Sequence, residues 1–237
     1  MDKVLCLCPT YGRPKLLANS LALFLNQTYE NKFLLIFDDF GQYGNFEGES
    51  YRVVSSTKRS ENMPDKYRRM LEMVDLREFA AICIWDDDDI YLPKHIEYHM
   101  KVLKRYYWSK PSFVYTICPT LALESVQGNH WASYAFQPDV FVKCLPETNK
   151  AYWDLLLIKE AEKHSFPGSI NEPTFIFRWQ STYHPHLQNY IQDPHDETSY
   201  QRFPAADKSI VNPLVPMLDE ETQRLLHYGF TEVGFKK

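Results

Sequence analysis

Ala80–Pro93 reads AAICIWDDDDIYLP, and the fold follows from how this stretch is built. Its first half, Ala80–Trp85, is continuously apolar, as a strand covered on both faces must be. It runs without a spacer into Asp86-Asp87-Asp88-Asp89, so four carboxylates follow directly on a buried strand. In open α/β sheets the carboxyl ends of the strands are where ligands sit. Toward the N-terminus the same grammar repeats. Val4–Cys8 is a short apolar run stopped by Pro9, and Lys15–Asn26 places Leu16, Leu17, Leu21, Phe24 and Leu25 at helical spacing. Phe33–Phe37 is a second apolar run closed by Asp38-Asp39, and Tyr51–Ser55 reads as a third strand. Pro64–Val74 reads as a helix with proline in its first turn. Past the acidic run, Lys94–Arg105 is helical, with Ile96, His99, Met100 and Leu103 on one face. Strands apolar on both faces, separated by helices, predict a mostly parallel sheet flanked by helices, a Rossmann-like α/β fold.

The second half is less regular. Ser112–Ile117, Asn129–Phe136 and Thr174–Trp179 read as strands and Trp153–Lys163 as a helix. The tail carries prolines at 194, 204, 213 and 216 and a short amphipathic segment near Asp219–Tyr228. The expected organisation is one domain over residues 1–190, divided into a nucleotide-binding half (1–110) and an acceptor half (111–190). An irregular C-terminal extension (191–237) is expected to pack on it.

At 237 residues, 44% hydrophobic and 24% charged, the composition is that of an ordinary globular protein with room for a substantial core. A formal charge of -5 argues against a protein built mainly to neutralise phosphates. The five cysteines form no CxxC pair, so neither a zinc knuckle nor a disulfide framework is suggested, and buried, reduced thiols are expected. Met1-Asp2-Lys3 leads straight into an apolar run, and no stretch has the length of a membrane span. A soluble cytoplasmic protein with no integral membrane segment is the expectation.

Adjacent carboxylates repel and raise one another's pKa, so a run such as Asp86–Asp89 needs a cation to neutralise it. A hard divalent ion with oxygen ligands, Mn2+ or Mg2+, does this and keeps sites open for phosphates. The plainer reading is a solvated acidic turn ahead of the next helix. Pro9-Thr10-Tyr11 and Asp38-Asp39 lie at the ends of the first two strands, and parallel pairing would bring them to the same rim. An aromatic ring there can stack on a base, and a carboxylate can accept from a base N–H.

Taken together, Cys8–Leu17 (CPTYGRPKLL), Leu25–Tyr29 (LNQTY), Phe37–Gly41 (FDDFG) and Trp85–Pro93 (WDDDDIYLP) resemble the family 2 glycosyltransferases of the GT-A fold. Asn62–Tyr67, His130–Ser133 and Phe177-Arg178-Trp179 resemble a bacterial and phage subgroup of that family. The resemblance implies a metal-dependent inverting transferase, of hexosyltransferase type, that takes a sugar from a nucleotide-sugar, a UDP-sugar in the usual case. It implies that Pro9, Thr10, Tyr11, Arg13 and Lys66 line the donor pocket. Asp39 would read the base with support from Asp38, Asp86 and Asp88 would hold the metal, and Asp87 would contact the donor ribose or sugar. Where the family has Asp-Asp-Gly-Ser, this chain has Asp38-Asp39-Phe40-Gly41. The family's Glu-Asp base is absent from Ala151–Leu155, where Asp154 is the acid in place, so Asp154 is the expected general base. A histidine near the C-terminus, His184 or alternatively His186, would complete the metal shell, and His130 with Trp131 would shape the acceptor site.

Two other classes share these features. A nucleotidyltransferase would use a similar acidic site, but its glycine- and lysine-rich phosphate loop is replaced here by Thr10-Tyr11-Gly12-Arg13-Pro14. A non-catalytic sugar-nucleotide-binding domain is consistent with the missing Glu-Asp pair. The acceptor is open between a saccharide, a lipid-linked intermediate, a protein side chain and a modified nucleic-acid base.

Overall fold

Strand β1 (Val4–Thr10) is buried at all seven positions, as its unbroken apolar reading requires. It lies between two parallel neighbours, β2 (Lys32–Asp38) and β5 (Ala81–Ile84), with Thr10 level with Asp38 and Leu7 level with Ile84. The computed structural model describes residues 2–117, 123–147, 152–172 and 174–178. Gly12 takes φ 64, a left-handed conformation that glycine adopts without a Cβ clash, and this turns the chain from β1 into helix α1 (Pro14–Leu25). After β2 come β3 (Phe46–Glu47), β4 (Tyr51–Ser55) and helix α2 (Met63–Leu71). The Asn62 side chain caps α2 by accepting from the Asp65 amide at 2.8 Å.

Beyond β5 the chain forms β6 (Ile90–Tyr91), α3 (His95–Leu103), β7 (Trp108–Pro111), β8 (Phe113–Ile117) and β9 (Leu123–Gln127). Then follow β10 (Ala135–Phe136), α4 (Pro138–Cys144), α5 (Trp153–His164), β11 (Gly168–Ile170) and β12 (Phe175–Arg178). Eight strands form one sheet in the order β11-β7-β10-β5-β1-β2-β4-β3. Its β1–β2, β1–β5, β2–β4 and β7–β11 pairs are parallel, and the short β10 runs antiparallel between β5 and β7. A second sheet of four strands, β6-β12-β8-β9, begins directly after the acidic run with β6.

The sequence expectation of a mostly parallel sheet flanked by helices holds. The expected strand over Asn129–Phe136 does not. Trp131–Ser133 is a 3-10 turn in which the Ser133 hydroxyl donates to the His130 carbonyl at 2.6 Å, and only Ala135–Phe136 pairs as strand. Local side-chain bonding of serine to backbone competes with a ladder, and here it wins. The described cysteines Cys6, Cys8, Cys83 and Cys144 are buried thiols. The expected 191–237 extension and the helical segment near Asp219–Tyr228 lie outside the described residues. No helix among the described residues is long and apolar enough to cross a membrane.

Candidate active site

The site is assembled at the carboxyl ends of β1, β2 and β5. Trp85, the last apolar residue before the acidic run, stacks on Tyr91 with ring centroids 3.8 Å apart and donates from Nε1 to the Ser20 hydroxyl at 2.9 Å. The Tyr91 hydroxyl accepts from the Asp86 amide at 2.6 Å and donates to the Ala132 carbonyl at 3.2 Å. Both ends of the turn are therefore pinned to the core, and the four aspartates cannot splay into solvent. Asp87, Asp88 and Asp89 are buried and Asp86 keeps a partly exposed edge.

Each carboxylate has its own surroundings. Asp87 accepts from the Thr10 hydroxyl at 2.6 Å through Oδ2 and meets Arg13 Nη2 at 2.5 Å through Oδ1. Asp88 accepts from Arg13 Nη1 at 2.6 Å through Oδ2. Asp89 accepts from the Arg178 amide of β12 at 3.2 Å. Oxygens of Asp86, Asp88 and Asp89 all lie within 4.8 Å of one another.

Burial, then the neighbouring Asp88 and Asp87 charges, push the Asp86 carboxyl up to about 8, with Arg13 opposing. The open edge of Asp86 softens this. Asp87 is pushed up to about 6, mainly by burial, with Arg13 drawing it down. Burial raises Asp89 well above the carboxylate range. A set of hard oxygen donors whose charge is only partly offset, by Arg13 at Asp88 and the Arg178 amide at Asp89, fits a divalent cation such as Mn2+ or Mg2+. The expected ligands Asp86 and Asp88 belong to this set. Asp89 joins them, although nothing local in the sequence distinguished it from Asp87. His184 and His186 lie outside the described residues, and among the described residues the group is all carboxylate.

On the β2 side, Asp38 is occupied by structure. Its Oδ1 accepts from the Phe40 amide at 3.0 Å, and its Oδ2 from the Gln42 amide at 2.7 Å and the Ser55 hydroxyl at 2.8 Å. Asp39 accepts from the Ser60 amide at 2.9 Å and from Lys66 Nζ at 2.6 Å. Lys66 is buried and also donates to the Thr10 carbonyl at 2.6 Å. Its ammonium therefore ties α2 to the ends of β1 and β2. Pro9 is buried within β1, level with Phe37. Tyr11 is partly exposed, in edge contact with Phe40 at 4.9 Å, and the Arg59 guanidinium sits 4.4 Å from its ring centroid. This places a cation and two aromatic rings at the rim beside Asp39.

Asp154 lies in the first turn of α5, partly exposed, and burial raises its carboxyl pKa. Its charge adds to the upward push on the Asp86 carboxyl. His130 stacks on Phe177 at 4.6 Å, and burial lowers its pKa. Trp131 packs edge-on against Trp153 at 4.9 Å, within a cluster that includes Tyr67 and Phe141. Trp131 thus packs against α2, α4 and α5. Behind the site, His95 and His99 are buried in the core, with His99 Nδ1 2.7 Å from the Ser109 hydroxyl. Burial depresses His99 to about 3 and His95 well below its ordinary value, so both are neutral.

The architecture matches solved glycosyltransferases. Over 76% of its length this chain superposes on 59% of S. aureus TarS 1-349 in complex with UDP-GlcNAc, with TM-score 0.55 and 10% identity. Over 87% of its length it superposes on 66% of the mannosyltransferase PcManGT from Pyrobaculum calidifontis in complex with GDP-Man and Mn2+, with TM-score 0.55 and 13% identity. The chain spans less than two thirds of either protein. No family model matches the sequence, and no curated protein matches it. The fold is that of the GT-A glycosyltransferases, with a large mostly parallel sheet flanked by helices.

Proposed function

We propose that this chain is a metal-dependent inverting glycosyltransferase of the family 2 type, in its bacterial and phage subgroup, moving a sugar from a nucleotide-sugar to an acceptor hydroxyl. The observation that carries the reading is the oxygen triad of Asp86, Asp88 and Asp89, held within 4.8 Å at the carboxyl end of the central strands. A divalent ion on these residues would offset the negative charge of a departing nucleoside diphosphate. Tyr11 offers a ring face for a base, with Pro9 and Thr10 forming the strand end beneath it. Asp39, oriented by Lys66 and the Ser60 amide and supported by Asp38, is proposed to read the base edge. Asp87 would meet the ribose or the sugar, and Arg13 the diphosphate.

On the acceptor side, Asp154 is the proposed general base. Burial raises its pKa, which makes it a stronger proton acceptor than an ordinary aspartate. His130 and Trp131 would shape the acceptor pocket around it.

The test is thermal stabilisation and hydrolysis across a panel of nucleotide-sugars, with and without Mn2+. Stabilisation by one UDP-sugar that needs the metal and disappears in Asp88→Asn supports the reading. Asp154→Asn should keep donor binding while lowering turnover by about 10²–10⁴-fold. A protein that answers no nucleotide-sugar under either condition is not a glycosyltransferase. One that binds a donor in its metal-dependent way but never releases diphosphate is a binding module.

A further inference from the structure

Arg13 stands where the chain enters α1, directly after the left-handed Gly12. It occupies the helix cap position without capping through its side chain, so its guanidinium is directed elsewhere. It spans two aspartates of the run, with Nη1 on Asp88 Oδ2 at 2.6 Å and Nη2 on Asp87 Oδ1 at 2.5 Å. Asp88 is also one of the three residues whose oxygens converge within 4.8 Å. The same carboxylate therefore serves a resident cation and belongs to the oxygen set that suits a divalent one. A guanidinium and a dication drawn to one carboxylate in a buried setting repel each other strongly. Asp87 does not share this conflict, because it lies outside the triad and keeps the Thr10 hydroxyl whatever Arg13 does.

Resting on the metal-dependent reading above, we infer that Arg13 is an internal counter-ion that competes with the divalent ion for Asp88, so that ion and nucleotide-sugar bind cooperatively. In the donor-free protein Arg13 neutralises part of the run and weakens metal binding. When Asp88 turns to the ion, the guanidinium is released, and a diphosphate is a partner that its planar fork suits. Metal and donor each lower the cost of binding the other, and by linkage the coupling is the same in both directions.

The experiment is Mn2+ binding to the metal-stripped full chain, read by the electron paramagnetic resonance of free Mn2+, with and without UDP. Wild type, Arg13→Gln, Arg13→Lys and Asp88→Asn are compared, each with its melting temperature in chelator. Without UDP, Arg13→Gln should bind Mn2+ about five- to tenfold tighter than wild type, with Arg13→Lys between them. UDP should tighten Mn2+ binding in wild type and do so much less in Arg13→Gln. Mn2+ should also raise the melting temperature of Arg13→Gln more than that of wild type. A folded Arg13→Gln that binds Mn2+ no better than wild type, or worse, overturns the competition and leaves the metal site standing. Should Arg13→Gln fail to fold, Arg13→Lys decides by the same comparison, since it keeps the charge and loses the fork. If wild type and both variants bind no Mn2+ with or without UDP, the metal-dependent reading itself fails and takes this inference with it.

Discussion

Two clusters of aspartates sit at the ends of neighbouring strands and are treated in opposite ways. Asp38 and Asp39, closing β2, are both buried, and the protein itself answers them, with the amides of Phe40, Gln42 and Ser60, the Ser55 hydroxyl and the Lys66 ammonium. Asp86–Asp89, following β5, are as constrained but less well answered, and their charge cost stays visible as carboxyls pushed up to about 8 at Asp86 and about 6 at Asp87. The first cluster is a joint answered by the protein's own donors, from which Asp39 is proposed to read the base. The second is stable only with protons, Arg13 or an added cation. Acidic residues side by side therefore do not by themselves mark a metal site; the number and type of donors folded against them separates joint from site.

The largest expected effect tests the joint. Lys66→Met removes the counter-charge of a buried carboxylate and should cost about 3–5 kcal/mol of stability in denaturant titration. That loss should be insensitive to Mn2+, because Asp39 is not in the oxygen triad. A near-neutral result would mean that the β2 cluster is no better anchored than the β5 cluster.

The next effect separates the clusters by pH. The Asp86 and Asp87 carboxyls titrate near 8 and near 6 in the folded state, above the ordinary unfolded value of about 3.9. The native protein therefore holds protons that the unfolded chain has released. This stability is complete below the unfolded pKa and is lost as pH rises through the folded values. Metal-free protein should lose about 1–3 kcal/mol as the pH rises from about 6 to 8, and Mn2+ should flatten the slope. On the acid side, His99 stays neutral down to about 3, so its contribution is complete above its unfolded pKa of about 6.5 and drains away below it. Between about pH 4 and 6.5 the two contributions slope in opposite directions, so the acidic run is read most cleanly from the fall above about pH 6.5. A chelated protein whose melting temperature is flat from pH 6 to 8 would erase the difference between the two clusters.

The smallest effect removes one hydroxyl from each cluster. Ser55→Ala leaves Asp38 with the Phe40 and Gln42 amides and should cost about 0.5–1 kcal/mol. Thr10→Val leaves the buried Asp87 leaning on Arg13 and should cost about 1–2 kcal/mol. Part of the Thr10→Val loss should return at low pH, where Asp87 is protonated.

Much of the framework was legible beforehand. Val4–Cys8, Phe33–Phe37, Tyr51–Ser55 and Ala80–Trp85 were readable as strands because burial on both faces leaves an apolar run with no period to confuse. The acidic run and the Pro9–Arg13 loop stood out because their residue types are costly or unusual at strand ends. Asn129–Phe136 misled because its mix of aromatic and small residues reads as a strand, whereas Trp131 is spent on the cluster with Trp153 and Phe141 and the backbone turns at Ser133. Lys66 was expected to line the donor pocket, and it is a buried partner of Asp39. Nothing within a few residues of Lys66 carries that information, because Asp39 is twenty-seven residues away in the chain.

The sequence by itself determined the strand and helix order of the nucleotide-fold core, and that carboxylates would gather at one rim, because these follow from local hydrophobic pattern and from parallel pairing. Only the tertiary structure decided how the acids divide their labour. Asp89 lies in the oxygen set and accepts from the Arg178 amide of β12, which pairs with β6, while Asp87 lies outside it, held by Thr10 at the end of β1 and by Arg13 just past the Gly12 turn. Four identical side chains in a row carry no local mark of these roles. What distinguishes them is the donors and charges that distant parts of the chain place against each one, and those are set by packing.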